Sequence, residues 1–157
     1  MRHTRGVHVS ARTDYALRAL LALAAADTPT VPGPVLAAEQ ELPLKFLEAI
    51  LADLRRAGLV RTRRGAVGGY ALARPAAEIS VGEVVRAVDG PLAVVRGERP
   101  ERAEYGGAAE HLQELWIALR AALRIVLDEV TLAELLSGDL PPRVRELVAE
   151  PGAWTSR

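Results

Sequence analysis

The chain is expected to be mostly α-helical with one small β-hairpin, a winged helix-turn-helix domain followed by a long C-terminal dimerisation helix. Three observations carry this. Two short helices flank a tight turn at Glu41-Leu42-Pro43, a glycine-rich hairpin follows them, and an apolar 4-3-4-3-4 spacing begins at Leu112.

Ser10 opens the first helix as N-cap, and Leu17, Leu20, Leu21 and Ala24 recur at helical spacing until Asp27-Thr28-Pro29 stops them, giving a helix over about Ala11 to Ala26. Pro34 suits a first helical position, so Val35 to Gln40 forms a short second helix. A third follows Pro43. Leu44, Leu47, Ile50, Leu51 and Leu54 lie on one of its faces, and Gly58 stands just past its end as a C-terminal stop. By itself the pair could be an ordinary helical hairpin; the tight turn, the amphipathic second partner and the basic residues after it match a helix-turn-helix.

After Gly58 the period changes to alternation in Leu59-Val60-Arg61-Thr62-Arg63, and Tyr70-Ala71-Leu72 resumes it beyond Gly65-Ala66-Val67-Gly68-Gly69. That is a hairpin, or wing, whose glycines permit positive φ and close approach to another surface. Ser80 with Glu83 forms a capping box opening a fourth helix that ends at Asp89-Gly90-Pro91. Residues 89–107 show no sustained period. Leu112, Trp116, Leu119, Leu123, Val126 and Val130 then form an a/d-type seam. The seam is under three heptads, so it must pack on its own domain as well as serve as a candidate dimer interface. Thr131 and Glu134 form a second capping box, Gly138 to Pro142 break the chain, and a final helix is expected over Arg143 to Glu150. The organisation is therefore 1–88 winged helix-turn-helix, 89–107 sensor-type loop, 108–136 dimerisation helix and 137–157 C-terminal extension.

At 157 residues and 16.8 kDa the chain is too short for a barrel enzyme. It has no cysteine, which removes disulfides, thiol nucleophiles, thiolate zinc sites and cysteine-held iron-sulfur clusters. The polar start Met1 to Gly6 shows no secretory signal, and the longest apolar stretch, Ala19 to Ala26, falls far short of the roughly 20 residues of a membrane span, so a cytoplasmic location away from membranes is expected. Although the net charge is zero, residues 1–74 carry 11 Arg/Lys against 6 Asp/Glu and residues 75–157 carry 9 against 14. A basic front and an acidic back suit a polyanion partner bound by the front.

Arg55, Arg56, Arg61, Arg63 and Arg64 fall within ten residues with no acid among them. On an arbitrary surface such a cluster is a solvated face; on a helix-turn-helix with a wing it points to double-stranded DNA, with Arg64 beside Gly65, Gly68 and Gly69 the candidate for the minor groove. Lys45 and Glu48 point away from the apolar face of the third helix. They would meet base edges there, as donor to guanine and acceptor from cytosine, or form a surface ion pair. His3, His8 and His111 are scattered, so no metal site is expected. No catalytic grouping is present: the Gly65 to Gly69 run lies in a hairpin, not before a helix, and an enzyme is not expected.

Asp14-Tyr15-Ala16-Leu17-Arg18-Ala19-Leu20, Leu44-Lys45-Phe46-Leu47-Glu48, Leu54 to Val60 and Arg64 to Leu72 together resemble the IscR/NsrR/CymR family, the Rrf-two type of bacterial winged-helix regulator. The resemblance runs from about Val9 to Leu136. It implies a homodimeric transcription factor with its third helix in the major groove, its wing in the minor groove and its long helix crossing to the partner. Lys45 and Glu48 match the base-contacting positions of that family, and Arg64 its wing arginine. Two departures stand out. Ala66-Val67 replace the usual Pro-Gly of the wing, making the tip bulkier. The three cysteines of iron-sulfur members, which fall in the segment corresponding to about Val94 to Glu110, are absent. The expected function is thus a homodimeric, sequence-specific DNA-binding repressor without cofactor or cluster, open to a small-molecule or protein effector near residues 89–110. The competing expectation is a protein-interaction module that keeps the fold and does not bind DNA.

Overall fold

A computed structural model describes residues 8–156; His3 and the Met1 to Gly6 segment lie outside them. The element order is α1 (Ala11–Ala25), α2 (Gly33–Glu39), α3 (Leu44–Arg56), β1 (Val60–Arg63), β2 (Gly69–Leu72), α4 (Val81–Asp89), α5 (Leu112–Leu127), α6 (Leu132–Ser137) and α7 (Pro142–Ala149).

The first three helices enclose the core. Ala16, Ala19 and Leu20 of α1, Leu36 of α2 and Leu47, Ile50, Leu51 and Leu54 of α3 are all completely buried. Each of the buried Leu and Ile side chains contributes roughly 1.5–3 kcal/mol through the apolar area removed from water. The small residues of α1 let it lie close to α4, α6 and α3. Its N-terminus is tied down twice: Ser10 Oγ accepts from the Thr13 amide at 3.0 Å, and the Ser10 and Thr13 hydroxyls both donate to Asp89 Oδ2, at 2.5 and 2.7 Å.

Helix α3 ends in a Schellman arrangement. The Gly58 amide donates to Arg55 O at 3.0 Å and the Leu59 amide to Leu54 O at 2.9 Å, with Gly58 at φ +74°. This turn delivers buried Leu59 and Val60 into the core and starts β1, which pairs antiparallel with β2 from Val60↔Leu72 to Arg63↔Gly69. Both capping boxes expected from sequence are formed, at Ser80/Glu83 and Thr131/Glu134. They sit side by side: Ser80 and Thr131 form a bridge, the Val81 amide donates to Val130 O at 2.8 Å, and the Leu132 amide donates to Ile79 O at 3.0 Å.

The C-terminal third departs from the sequence expectation. The helical run starting at Leu112 stops at Leu127, and Asp128 to Thr131 interrupt the 108–136 stretch. Val130 is therefore no seam position: it is 5% exposed, and its carbonyl is used by the start of α4. The backbone pairing at Thr131 outcompetes continuation of the helix. No residue of α5 is buried.

The seam also differs in direction. Trp116, Leu119, Leu123 and Val126 are half-buried against their own chain, with Leu119 and Leu123 beside Ala93, Val94 and Val95, and Val126 beside Val81 and Leu135. Leu112 lies at the exposed start. The apolar strip left open is one step round the helix, at Leu115, Ala118, Ala122 and Ile125. Heptad spacing alone cannot distinguish these two faces, because both carry apolar residues at 3-4 intervals.

Candidate nucleic-acid interface

Helix α3 has two opposite faces. Leu47, Ile50, Leu51 and Leu54 anchor it, while Lys45, Glu48, Ala52 and Arg55 form an exposed stripe. Among the described residues Lys45 and Glu48 form no ion pair with each other or with anything else, and Arg55 is likewise unpaired. The turn before α3 is tight because Glu41 takes a left-handed conformation, φ 53°, and the Leu42 amide donates back to Ala37 O at 3.0 Å.

The wing stands beside this stripe. Arg61, Thr62, Arg63, Arg64 and Gly65 are all exposed, and Arg63 and Arg64 are unpaired among the described residues. Arg61 donates from Nε to Leu72 O at 3.2 Å, so its guanidinium is held along the hairpin. Between helix and wing runs a groove of about 360 Å³ lined by Glu48, Arg55, Arg56, Thr62 and Tyr70.

What fixes the wing against the helices is a strand-like contact that the sequence reading missed. The Val31 amide donates to Tyr70 O and the Tyr70 amide to Val31 O, both at 2.8 Å, and Thr30 Oγ1 donates to Val67 O at 2.9 Å. The glycines make this possible. A Cβ on Gly69 would stand 2.4 Å from Val31 O, and one on Gly68 would stand 2.5 Å from Arg63 O. Gly69 thus permits close approach to the segment leading into α2, Gly68 permits the tight turn of the hairpin on itself, and Gly65 has open space around it.

Arg56 differs from its neighbours. It is paired with Asp53, which also holds Arg12 of α1 at 2.5 Å. The cluster read from Arg55 to Arg64 contains no acid, but Asp53, three residues before Arg56 on the same helix, already claims that guanidinium. The i, i+3 spacing was a visible signal for this pair; Arg12, forty-one positions away from Asp53, gave none.

A tight turn between two helices, the second offering a free polar stripe, with an arginine-bearing wing fixed beside it, is the geometry of a winged helix-turn-helix. Residues 9–138 match the Rrf2 family, whose members are described as iron-dependent transcriptional regulators. The chain belongs to the Rrf2 family. It is 46% identical over 151 residues to Rv1287 of Mycobacterium tuberculosis, a protein named as an HTH-type transcriptional regulator, covering 96% of this chain and 94% of that one. Among solved structures it resembles Bacillus subtilis CymR, that organism's global cysteine regulator, with a TM-score of 0.71 and 32% identity over 85% of this chain and 98% of the other. It also resembles T. potens IscR, with a TM-score of 0.68 and 31% identity over 87% and 91% of the two chains. This Rrf2 member is a transcriptional regulator by family and not an enzyme.

Iron in an Rrf2 protein would need a donor set that these residues do not supply. The chain has no thiolate, and among the described residues no group of three or more His, Cys, Asp or Glu could hold a metal ion. The loop before α5 carries Arg96, Arg99 and Arg102 instead, and cations are unsuited to ligate one. This loop is pinned to α5 by Trp116 Nε1, which donates to Tyr105 Oη at 3.0 Å, and by Gln113 Nε2, which donates to Glu101 O at 3.2 Å, while Arg96 stacks on Tyr105 within the loop at 5.5 Å. His111 stands at the start of α5, exposed, 3.3 Å from Glu110 and 3.8 Å from Glu114. No described helix is long and apolar enough to cross a membrane.

Proposed function

We propose that this protein is a homodimeric, sequence-specific DNA-binding repressor that works without an iron-sulfur cluster. The observation that carries the reading is the pairing state of the α3–wing surface: Lys45, Glu48, Arg55, Arg63 and Arg64 are all exposed and without an intramolecular partner among the described residues. Side chains left free on one continuous surface are available to phosphates and base edges.

In this reading α3 enters the major groove with Lys45 and Glu48 at base edges, Arg55 and Arg61 neutralise phosphates along the groove beside Tyr70, and Arg63, Arg64 and the Gly65 tip reach the minor groove. Arg56 contributes less, since a phosphate must compete with Asp53 for it. Residues 1–88 form the DNA-binding unit, and 89–107 form the input segment. The exposed strip of α5, Leu115, Ala118, Ala122 and Ile125, meets its counterpart on a second copy. No residue of α5 is fully buried and this strip has its apolar area still to cover, and a two-fold interface places two α3 helices on successive half-sites. A repressor of this kind acts in the cytoplasm, by occupying promoter DNA.

The test is a fluorescence-anisotropy titration of the full chain on the DNA upstream of its own gene against a scrambled duplex, at two salt concentrations. The reading expects binding to the specific site roughly a thousandfold or more tighter than to the scramble, falling steeply with salt. No binding to either duplex at low salt would overturn it in favour of a protein-interaction role.

A further inference from the structure

Where α4, the loop after it and α5 meet, four arginines line one hollow. Arg86 comes from α4, Arg99 from the loop, and Arg120 and Arg124 from successive turns of α5; the hollow measures about 280 Å³, and Pro91 and Leu92 complete its wall. Glu101 is its single acidic wall residue. The charges do not balance locally. Arg86 is matched by Asp128 at 2.8 Å and Arg120 by Glu101; Arg99 shares the field of that same Glu101 without an ion pair or hydrogen bond of its own, and Arg124 has neither among the described residues. Arg120 is the most enclosed of the four, its side chain 15% exposed against 40% for Arg86, while Arg99 and Arg124 are exposed at the rim.

We propose that this hollow is a binding site for a small multivalent oxyanion, a metabolite bearing carboxylate or phosphate groups. Four like charges around one space repel one another, and an entering dianion relieves that repulsion while satisfying the two unmatched guanidiniums. Guanidinium forks match carboxylate and phosphate oxygens in bidentate geometry. The volume lies at the small end of ligand pockets, which fits a compact metabolite and not a peptide or a nucleic acid strand. The neighbouring hollows along α5 are lined mainly by Val, Leu and Ala, so the charge is specific to this one.

The location gives occupation a consequence. Arg86 stands on α4, which packs against α1 and α3, while Arg120 and Arg124 stand on α5. An anion gripped from both sides ties α4, which packs on the α3 helix that carries the DNA-facing stripe, to the helix proposed to meet the second copy. Its role as the input of a repressor rests on the function proposed above; the binding site itself does not.

The experiment is thermal unfolding and calorimetric titration of the full chain, without DNA, with citrate and with inorganic phosphate as separate probes against sodium chloride at equal ionic strength. The expected result is a rise in Tm with one or both probes beyond that with chloride, and the stronger probe assigns the ligand to the carboxylate or the phosphate class. In Arg99→Gln/Arg124→Gln the apparent Kd should weaken by roughly tenfold or more, from the loss of charge-assisted hydrogen bonds. Neither residue has an ion pair or hydrogen bond to lose among the described residues, and circular dichroism checks that the variant is folded. Arg63→Gln/Arg64→Gln, on the wing, should respond like the parent. The proposal is overturned if neither probe exceeds chloride, or if the response survives in the Arg99/Arg124 variant. Because no DNA is present, that failure leaves the DNA reading standing, and failure of the promoter titration leaves this site standing.

Discussion

Asp128 occupies the space in which residue 82 would carry a side chain. A Cβ built on Gly82 falls 1.8 Å from Asp128 Oδ1, and that same oxygen holds Arg86 at 2.8 Å. Glycine in α4 is therefore what lets the end of α5 close onto α4 through a carboxylate.

Helix propensity alone would make Gly82→Ala stabilising by about 1 kcal/mol. The Asp128 contact offsets that gain: its carboxylate must swing aside and release Arg86, so the variant should gain clearly less than this over the parent in chemical unfolding at matched protein concentration. In an Asp128→Ala background the same substitution should stabilise more, since only the flexible Arg86 side chain is then left near the Cβ. A double-mutant cycle reads the coupling directly.

Gly69→Ala should separate wing from helices. Its Cβ would lie 2.4 Å from Val31 O and 2.8 Å from Pro32 N, both backbone atoms that cannot step aside without breaking the Val31–Tyr70 bridge. A loss of about 1–3 kcal/mol in stability is expected, with helical circular dichroism retained. Duplex affinity should fall at the same time, because the wing arginines lose their fixed position beside α3.

Single arginine variants should separate by pairing state. Arg64→Ala should weaken binding nearly equally across sequences and reduce the slope of log affinity against log salt by about 1, while Lys45→Ala should relax discrimination at one base position. Arg55→Ala should cost more affinity than Arg56→Ala, since Arg56 is held by Asp53 in the free protein. Equal losses for Arg55 and Arg56 would show that Asp53 releases its partner on binding.

Acid should loosen the start of α4. Burial works to raise the Glu83 pKa, but hydrogen bonds from the Ser80 amide and from Arg74 outweigh it and hold the carboxyl below the usual glutamate value. A group with a depressed folded pKa contributes stability that is present at neutral pH and lost as the pH falls from the ordinary glutamate range through its folded value. Glu83→Gln should therefore be less stable than the parent at pH 7, with the gap closing in acid. Thermal unfolding measured from pH 7 down to pH 3 checks it.

On the dimer proposed above, Leu115→Glu/Ile125→Glu should leave a folded monomer in light scattering where the parent scatters as two copies, because both side chains are exposed in the single chain, at 55% and 44%. Val130→Glu should instead unfold the protein, since it places a charge at a buried position.

Much of the fold was legible along the chain. Ser80/Glu83 and Thr131/Glu134 announced two helix starts, Pro34 and Pro43 marked the starts of α2 and α3, and Gly58 ended α3, all through contacts between residues no more than five apart. The candidate interface was partly legible for the same reason: a stripe at Lys45, Glu48 and Arg55 follows from helical period once the apolar face is known. Asp53's grip on Arg12, the Val31–Tyr70 bridge and the stop at Leu127 were not, because each depends on a partner remote in sequence.

The sequence by itself determined the helices, hairpin and caps of the first ninety or so residues, the buried face of α3, and that no thiolate is available to a metal; on α1 it marked Leu17, Leu20, Leu21 and Ala24, of which only Leu20 is fully buried, beside Ala16, Ala19 and Leu23. Those properties follow from local hydrogen bonding, residue period and composition. Only the tertiary structure decided which face of α5 stays open, which arginines are already neutralised, and that Arg86, Arg99, Arg120 and Arg124 line one hollow. Charge and apolar contacts act through space, so their pairing exists only once the chain has folded and brought distant residues together.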